Sequence, residues 1–188
     1  MDRRIFYFED LKADNTEMAF SLAAARLQTS FVEKIVLAST TGTTAVRAME
    51  YFKGQDVQLI VVGHQYDFKR KENPFSPELA KTLREAGHEV HFGTMLFHTG
   101  DLYGSTVPTI MANLLRCFSQ GVKVCFEIVL MAADAGFIKP GEQVIAIAGT
   151  GRGSDTALLM QAASSQHLNR LRVNEIICKP LNRLDTEE

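Results

Sequence analysis

Two segments of this chain share one grammar, and it limits the possible fold more than any other feature. The first runs Ile35-Val36-Leu37-Ala38-Ser39-Thr40-Thr41-Gly42-Thr43-Thr44-Ala45. The second runs Val144-Ile145-Ala146-Ile147-Ala148-Gly149-Thr150-Gly151-Arg152-Gly153-Ser154-Asp155-Thr156-Ala157. Each reads as an apolar strand that enters a turn rich in Gly, Thr and Ser and then a helix. Strands apolar at nearly every position are covered on both faces, as in a mostly parallel sheet. A helix that begins on such a turn aims unpaired N–H groups and the positive end of its dipole at one spot, which suits an anion such as phosphate. Small side chains let a ligand approach the backbone, and hydroxyls add donors.

The rest of the chain fits the same architecture. Strands are expected over residues 5–8, 34–38, 57–62, 88–92, 143–148 and 173–178. The first helix opens at Asn15 as its cap and carries Met18, Leu22, Ala25 and Leu27 on its apolar face. Further helices are expected over 43–52, stopped by Gly54, from Ser76-Pro77-Glu78 to Gly87, and over 108–118, 122–135 and 154–163. Residues 65–74 read as a polar loop, and 93–107 show no periodicity. This alternation predicts one α/β domain over residues 1–188, a three-layer sandwich with a mostly parallel sheet and helices on both faces. Ligands of such sheets bind beyond the carboxyl ends of the strands, near a switch in strand order.

Composition narrows the partners. A net charge of −2 over 188 residues offers no basic field for nucleic acid or anionic lipid. The most apolar stretch, 122–133, contains Glu127 and is too short to span a bilayer. The start of the chain lacks a signal-peptide core, so a cytoplasmic protein is expected. Cys117, Cys125 and Cys178 form no CxxC and are expected to act as small core residues in a reducing compartment. The five histidines show no metal-ligand spacing, and no metal site is expected.

The candidate ligand residues follow from the turns. Thr40, Thr41, Gly42, Thr43 and Thr44 are the phosphate candidates, since four threonines exceed what one helix cap needs. Gly149, Thr150, Gly151, Arg152, Gly153 and Ser154 read either as a second anion nest with Arg152 as a bidentate donor or as a plain glycine turn. Asp155 would repel a phosphate, so it caps the next helix or holds a ligand hydroxyl. Gly63 and His64 stand at the ligand-binding edge. Tyr66 and Phe68 either flank a flat heterocycle or belong to a surface loop. Thr94, His98, Thr99, Asp101 and Tyr103 resemble acid–base equipment, without a spacing that names a reaction. Glu127, one turn after Lys123, reads as a partly buried i,i+4 pair, with catalysis as the alternative. Asp134 is placed to bond a neighbouring backbone. Apolar helix positions Met111, Leu114, Leu115 and Phe118 leave room for a homo-oligomer.

These residues carry a family resemblance. The chain resembles the C-terminal α/β domain of pyruvate kinase, and more closely a group of small stand-alone proteins built only from that domain. The matching stretches are Ile35 to Ala45, Gly121-Val122-Lys123-Val124-Cys125-Phe126-Glu127-Ile128-Val129-Leu130-Met131-Ala132-Ala133-Asp134-Ala135-Gly136, Gly149 to Ala157, and Asn174-Glu175-Ile176-Ile177-Cys178-Lys179-Pro180. The resemblance implies the pyruvate kinase C-terminal domain-like fold and a regulatory rather than catalytic ancestry, with an effector phosphate at the Thr40–Thr44 turn. Some stand-alone relatives are associated with flavin mononucleotide (FMN), which makes FMN or a similar phosphorylated small molecule the expected ligand. An enzyme acting on a phosphorylated metabolite and a sugar-phosphate sensor are the alternatives.

Overall fold

Seven strands pair edge to edge in the computed structural model, which describes residues 3–69, 71–100 and 104–182. In chain order the elements are β1 (Phe6–Phe8), α1 (Thr16–Leu27), β2 (Lys34–Ala38), α2 (Thr43–Tyr51), β3 (Gln58–Val62), α3 (Pro77–Glu85) and β4 (Glu89–His91). A 3-10 turn (Leu96–His98), α4 (Val107–Arg116), α5 (Gln120–Asp134), β5 (Gln143–Ala148), β6 (Thr156–Gln161), a second 3-10 turn (Ser165–Arg170) and β7 (Arg172–Pro180) follow. The strands lie in the order β1-β7-β6-β5-β2-β3-β4. β6 runs antiparallel to both of its neighbours, and the other pairings are parallel.

Alternation along the strands splits the core into two layers. Ile35, Leu37, Leu59, Val61, Ile145 and Ile147 pack with α1, α2 and α3 on one face. Val36, Ile60, Val144, Ala146 and Leu158 pack with α5 on the other. β2 and β5 are buried on both faces, as their unbroken apolar sequences require. Right-handed crossovers explain the split. From β2 the chain steps through α2 to β3 and through α3 to β4. It then returns through α4 and α5, on the opposite face, to lay β5 on the free side of β2. The strand order therefore reverses between β2 and β5, whose carboxyl ends share one sheet edge.

One expected helix is a strand. Residues 154–163 hold β6, and Thr156 through Met160 are all buried. A helix on a sheet buries one stripe, whereas five consecutive buried residues fit a strand inserted between two others. Ala, Leu and Met favour helices, but that preference is weak against burial on two faces. Asp155 N–H donates to the Ala148 carbonyl at 3.0 Å and closes a hairpin. The 149–154 turn thus precedes no helix and has no helix dipole behind it.

Smaller differences are local. Asn15 does not cap α1 with its side chain; its amide donates to the Asp10 carbonyl at 2.9 Å. Asp14 instead accepts the Thr16 N–H at 3.0 Å. Cys117 is exposed, while Cys125 and Cys178 are buried, and burial raises both of the latter thiols' pKa values, Cys178 to about 12. Met111 and Leu115 pack onto the core. Val107, Ile110, Leu114 and Phe118 form an exposed stripe down α4. Among the described residues no helix is long and apolar enough to cross a membrane, and no cluster of His, Cys, Asp or Glu is arranged to hold a metal.

Candidate functional site

The strand order puts the two Gly/Thr turns side by side. Val36 pairs with Ala146 and Leu37 with Ile147, so the turn after Ala38 and the hairpin after Ala148 leave the same edge from neighbouring strands. A switch in strand order of this kind is where ligands of α/β sheets bind.

In the first turn Gly42 takes the N-cap position of α2 at φ +90°. A Cβ there would collide with Leu79, so packing and backbone angle both demand glycine. Ser39 is buried, and its Oγ accepts the Ala45 N–H at 3.2 Å. Among the described residues the N–H groups of Thr41, Gly42, Thr43 and Thr44 have no protein acceptor. Thr40, Thr41 and Thr43 are exposed, Thr44 is half-buried, and the Thr41 and Thr43 hydroxyls bond each other at 3.0 Å. The turn therefore combines free amides, three hydroxyls open to solvent and the positive end of a nine-residue helix.

The second turn is built differently. Asp155 accepts the Thr150 N–H at 2.9 Å and the Thr156 hydroxyl at 2.7 Å. A Cβ on Gly121, in the first turn of α5, would stand 2.9 Å from the same carboxylate, so Asp155 sits where that helix dipole favours negative charge. Gly153 takes φ +67°, and its missing Cβ makes room for Thr16. Thr16 Oγ1 accepts the Ser154 N–H at 2.9 Å and ties the hairpin to the start of α1. Arg152 and Gly151 are exposed, and Arg152 has no partner among the described residues. The hydroxyl oxygens of Thr150 and Ser154 are buried and have no hydrogen-bond partner among the described residues.

Sequence reading did not anticipate Arg47. It leaves α2 to bond Asp14 at 2.6 Å and Glu17 at 2.9 Å. Hydrogen bonding from Thr16 and from Arg47 holds the Asp14 carboxyl below the usual range. The pair neutralises the one acid that stands beside Gly153.

The third part lies beyond β3. Gly63 is small because Phe92 packs where its Cβ would be. His64 Nε2 stands 3.3 Å from Thr40 Oγ1. Burial, then the nearby charge of His98, lowers the His64 pKa. The His64 ring meets Phe68 edge-on at 5.1 Å, and Phe68 meets His98 in the same way at 5.1 Å. Phe68 is thus part of the site's wall rather than of a free loop. Asp67 and Lys69, on either side of it, both take φ +60°. Such angles are rare for non-glycine residues and gather at functional sites. Tyr66 meets Phe92 edge-on at 5.7 Å and stays exposed. Thr94 is exposed, and Thr99 is buried with its hydroxyl on the Leu96 carbonyl. Asp101 and Tyr103 lie outside the described residues.

Glu127 and Lys123 are a fully buried pair, 2% and 1% exposed, with Nζ and Oε2 at 2.5 Å. Glu127 Oε1 accepts the Phe97 N–H at 2.9 Å and faces His98 Nδ1 at 3.3 Å. Asp134 accepts the Ser165 N–H at 2.8 Å, the backbone bond expected of it.

Two hollows lie elsewhere. One of about 660 Å³ opens at the amino edge between Phe52, Lys53, Gly87 and His88. No helix N-terminus is among its lining residues. The other, about 650 Å³, lies at the carboxyl edge between the α4–α5 junction and the end of β7, with Thr150, Arg116 and Lys179 on its wall.

Fold and edge together define a doubly wound α/β domain whose loops gather at a switch-point crevice. Within that class the chain belongs to the pyruvate kinase α/β domain family, whose model matches residues 17–161. Among solved structures it is similar to pyruvate kinase from Cryptosporidium parvum. One such structure is 15% identical, with a TM-score of 0.40 over 77% of this chain and 23% of that one. Another, in complex with ADP, is 18% identical, with a TM-score of 0.40 over 76% and 22%. The chain therefore spans less than a quarter of the pyruvate kinases it matches.

Proposed function

We propose that this chain binds a phosphorylated small molecule in the crevice between β2 and β5, with FMN as the ligand. The observation that carries the reading is the start of α2: four consecutive amides without protein acceptors, held by a left-handed Gly42, at the point where the strand order reverses. Arg152, exposed on the hairpin, supplies a further donor. The aromatic wall of His64 and Phe68, joined to the phosphate turn through Thr40, suits a flat ring system. FMN would bring a redox-active ring, while the chain's own residues bind phosphate and flank that ring.

The test is a fluorescence titration of the purified chain with FMN, repeated on Thr41→Glu/Thr43→Glu. Both threonines are exposed, so the fold survives the change. The new carboxylates face the phosphate, and affinity falls by about 100-fold or more. Unchanged affinity would place the ligand elsewhere.

A further inference from the structure

The ion pair inside α5 has no role in the binding just described. Lys123 and Glu127 sit in a layer otherwise made of Val, Ile, Leu, Met, Ala, Cys and Phe. Burying two charges is costly, and an apolar pair of similar volume commonly serves stability as well or better. Something other than packing uses the carboxylate. Its Oε2 is taken by Lys123, and its Oε1 by the Phe97 N–H and His98 Nδ1. Lys123 Nζ also stands 5.5 Å from the Phe97 ring. Among the described residues the carboxylate's partners are thus the Lys123 ammonium, the Phe97 N–H and the His98 imidazole.

A carboxylate on Nδ1 fixes a histidine in one tautomer. The proton stays on Nδ1, and Nε2 is left as a bare base. The His98 side chain keeps 28% of its surface in solvent, so this base is reachable. Its ring shares Phe68 with His64, and His64 touches Thr40 of the phosphate turn. Phe68 stands edge-on to both imidazoles, flanked by Asp67 and Lys69 at φ +60°. Among the described residues, Glu127 faces His98 directly, Phe68 stands between it and His64, and the charges of Lys123 and Lys69 act on the His64 side of that wall.

We propose that His98 is a general acid–base acting on a substrate bound beside the phosphorylated ligand, with Glu127 as its positioning residue and Lys123 as the counter-ion that keeps Glu127 ionised. An O–H or activated C–H bond of the substrate breaks, its proton passes to Nε2, and the electron pair stays on the substrate. The proton then returns to the product, so the step needs no oxidant or reductant. The ligand's phosphorylated character rests on the function proposed above; the state of the imidazole does not.

The experiment is a long-range 1H–15N correlation spectrum of the full chain without ligand, with His98 assigned by His98→Gln. The wild type shows a protonated Nδ1 and a bare Nε2. Glu127→Gln leaves Lys123 unpaired and can unfold the chain, so Lys123→Met/Glu127→Gln is measured as well. In that double variant the Nδ1–H preference weakens, because a neutral amide oxygen is a poorer acceptor than the carboxylate. Acylation of His98 by diethyl pyrocarbonate, read by peptide mass spectrometry against His167, slows by about tenfold as the fixed base is lost. Saturating FMN also slows acylation in the wild type. A protonated Nε2 in the wild type, or a double variant that matches it in tautomer and rate, would overturn the proposal. So would unchanged acylation with FMN bound. Failure of FMN to bind would overturn the ligand assignment instead, and the tautomer measurement still decides the role of His98.

Discussion

Ser39 and Gly42 divide the work of starting α2. The serine hydroxyl satisfies the Ala45 N–H, and the glycine bends the chain so that the preceding amides stay free. Ser39→Ala leaves that amide unpaired and costs about 1 kcal/mol. Gly42→Ala adds left-handed strain to a clash with Leu79 and costs about 2–4 kcal/mol. Urea unfolding separates the two, and equal small effects would show that the turn is not held as described. The glycine is thus a poor place to test binding, because the fold itself needs it; the exposed threonines are better. At the buried pair, Lys123→Met strands a carboxylate in the core and costs about 3–5 kcal/mol, while Lys123→Met/Glu127→Gln regains most of that. Additive losses would show that the two charges do not act as a pair.

At the scale of elements, β2, β5 and the caps of α3 were legible because one local rule governs each. Unbroken apolar runs marked the central strands. Ser76 accepting the Leu79 N–H, followed by Pro77, marked a helix start. β6 was not legible. Its Ala, Leu and Met residues suit a helix, and only its place between β5 and β7 makes it a strand. That misreading matters for the site, since it lent the 149–154 turn a dipole that belongs to α2 and, facing Asp155, to α5. The Thr40–Thr44 turn was visible because it is contiguous. The His98–Glu127 contact was not, because it joins residues 29 apart through the way residues 95–98 lie across α5. Thr16, 138 residues from Ser154, is hidden for the same reason.

For the whole molecule, half-buried histidines set the response to acid. Burial lowers the pKa values of His64, His88 and His91 from the ordinary 6.5. The unfolded chain takes up protons at these sites before the folded one does, so stability falls as pH drops below about 6.5. The Glu127 carboxyl is opposed by burial, but bonding from His98 and the charge of Lys123 hold its pKa below 4.5. Its contribution is full above 4.5 and is lost only as the pH falls through that lower value. Melting temperatures at pH 8, 6 and 5 should decline in that order, and a flat profile would contradict the burial of these rings.

The central claim is that the free amides at the start of α2 hold the phosphate of a small ligand. The most direct measurement is a 1H–15N chemical-shift titration of the full chain, first with inorganic phosphate and then with FMN. The account predicts that the amides of Thr41, Gly42, Thr43 and Thr44 move most with both, and that His64 and Phe68 move with FMN alone. If these four amides stay still while either probe saturates another part of the chain, or if neither probe moves any amide at the carboxyl edge, the phosphate site is not where the fold places it.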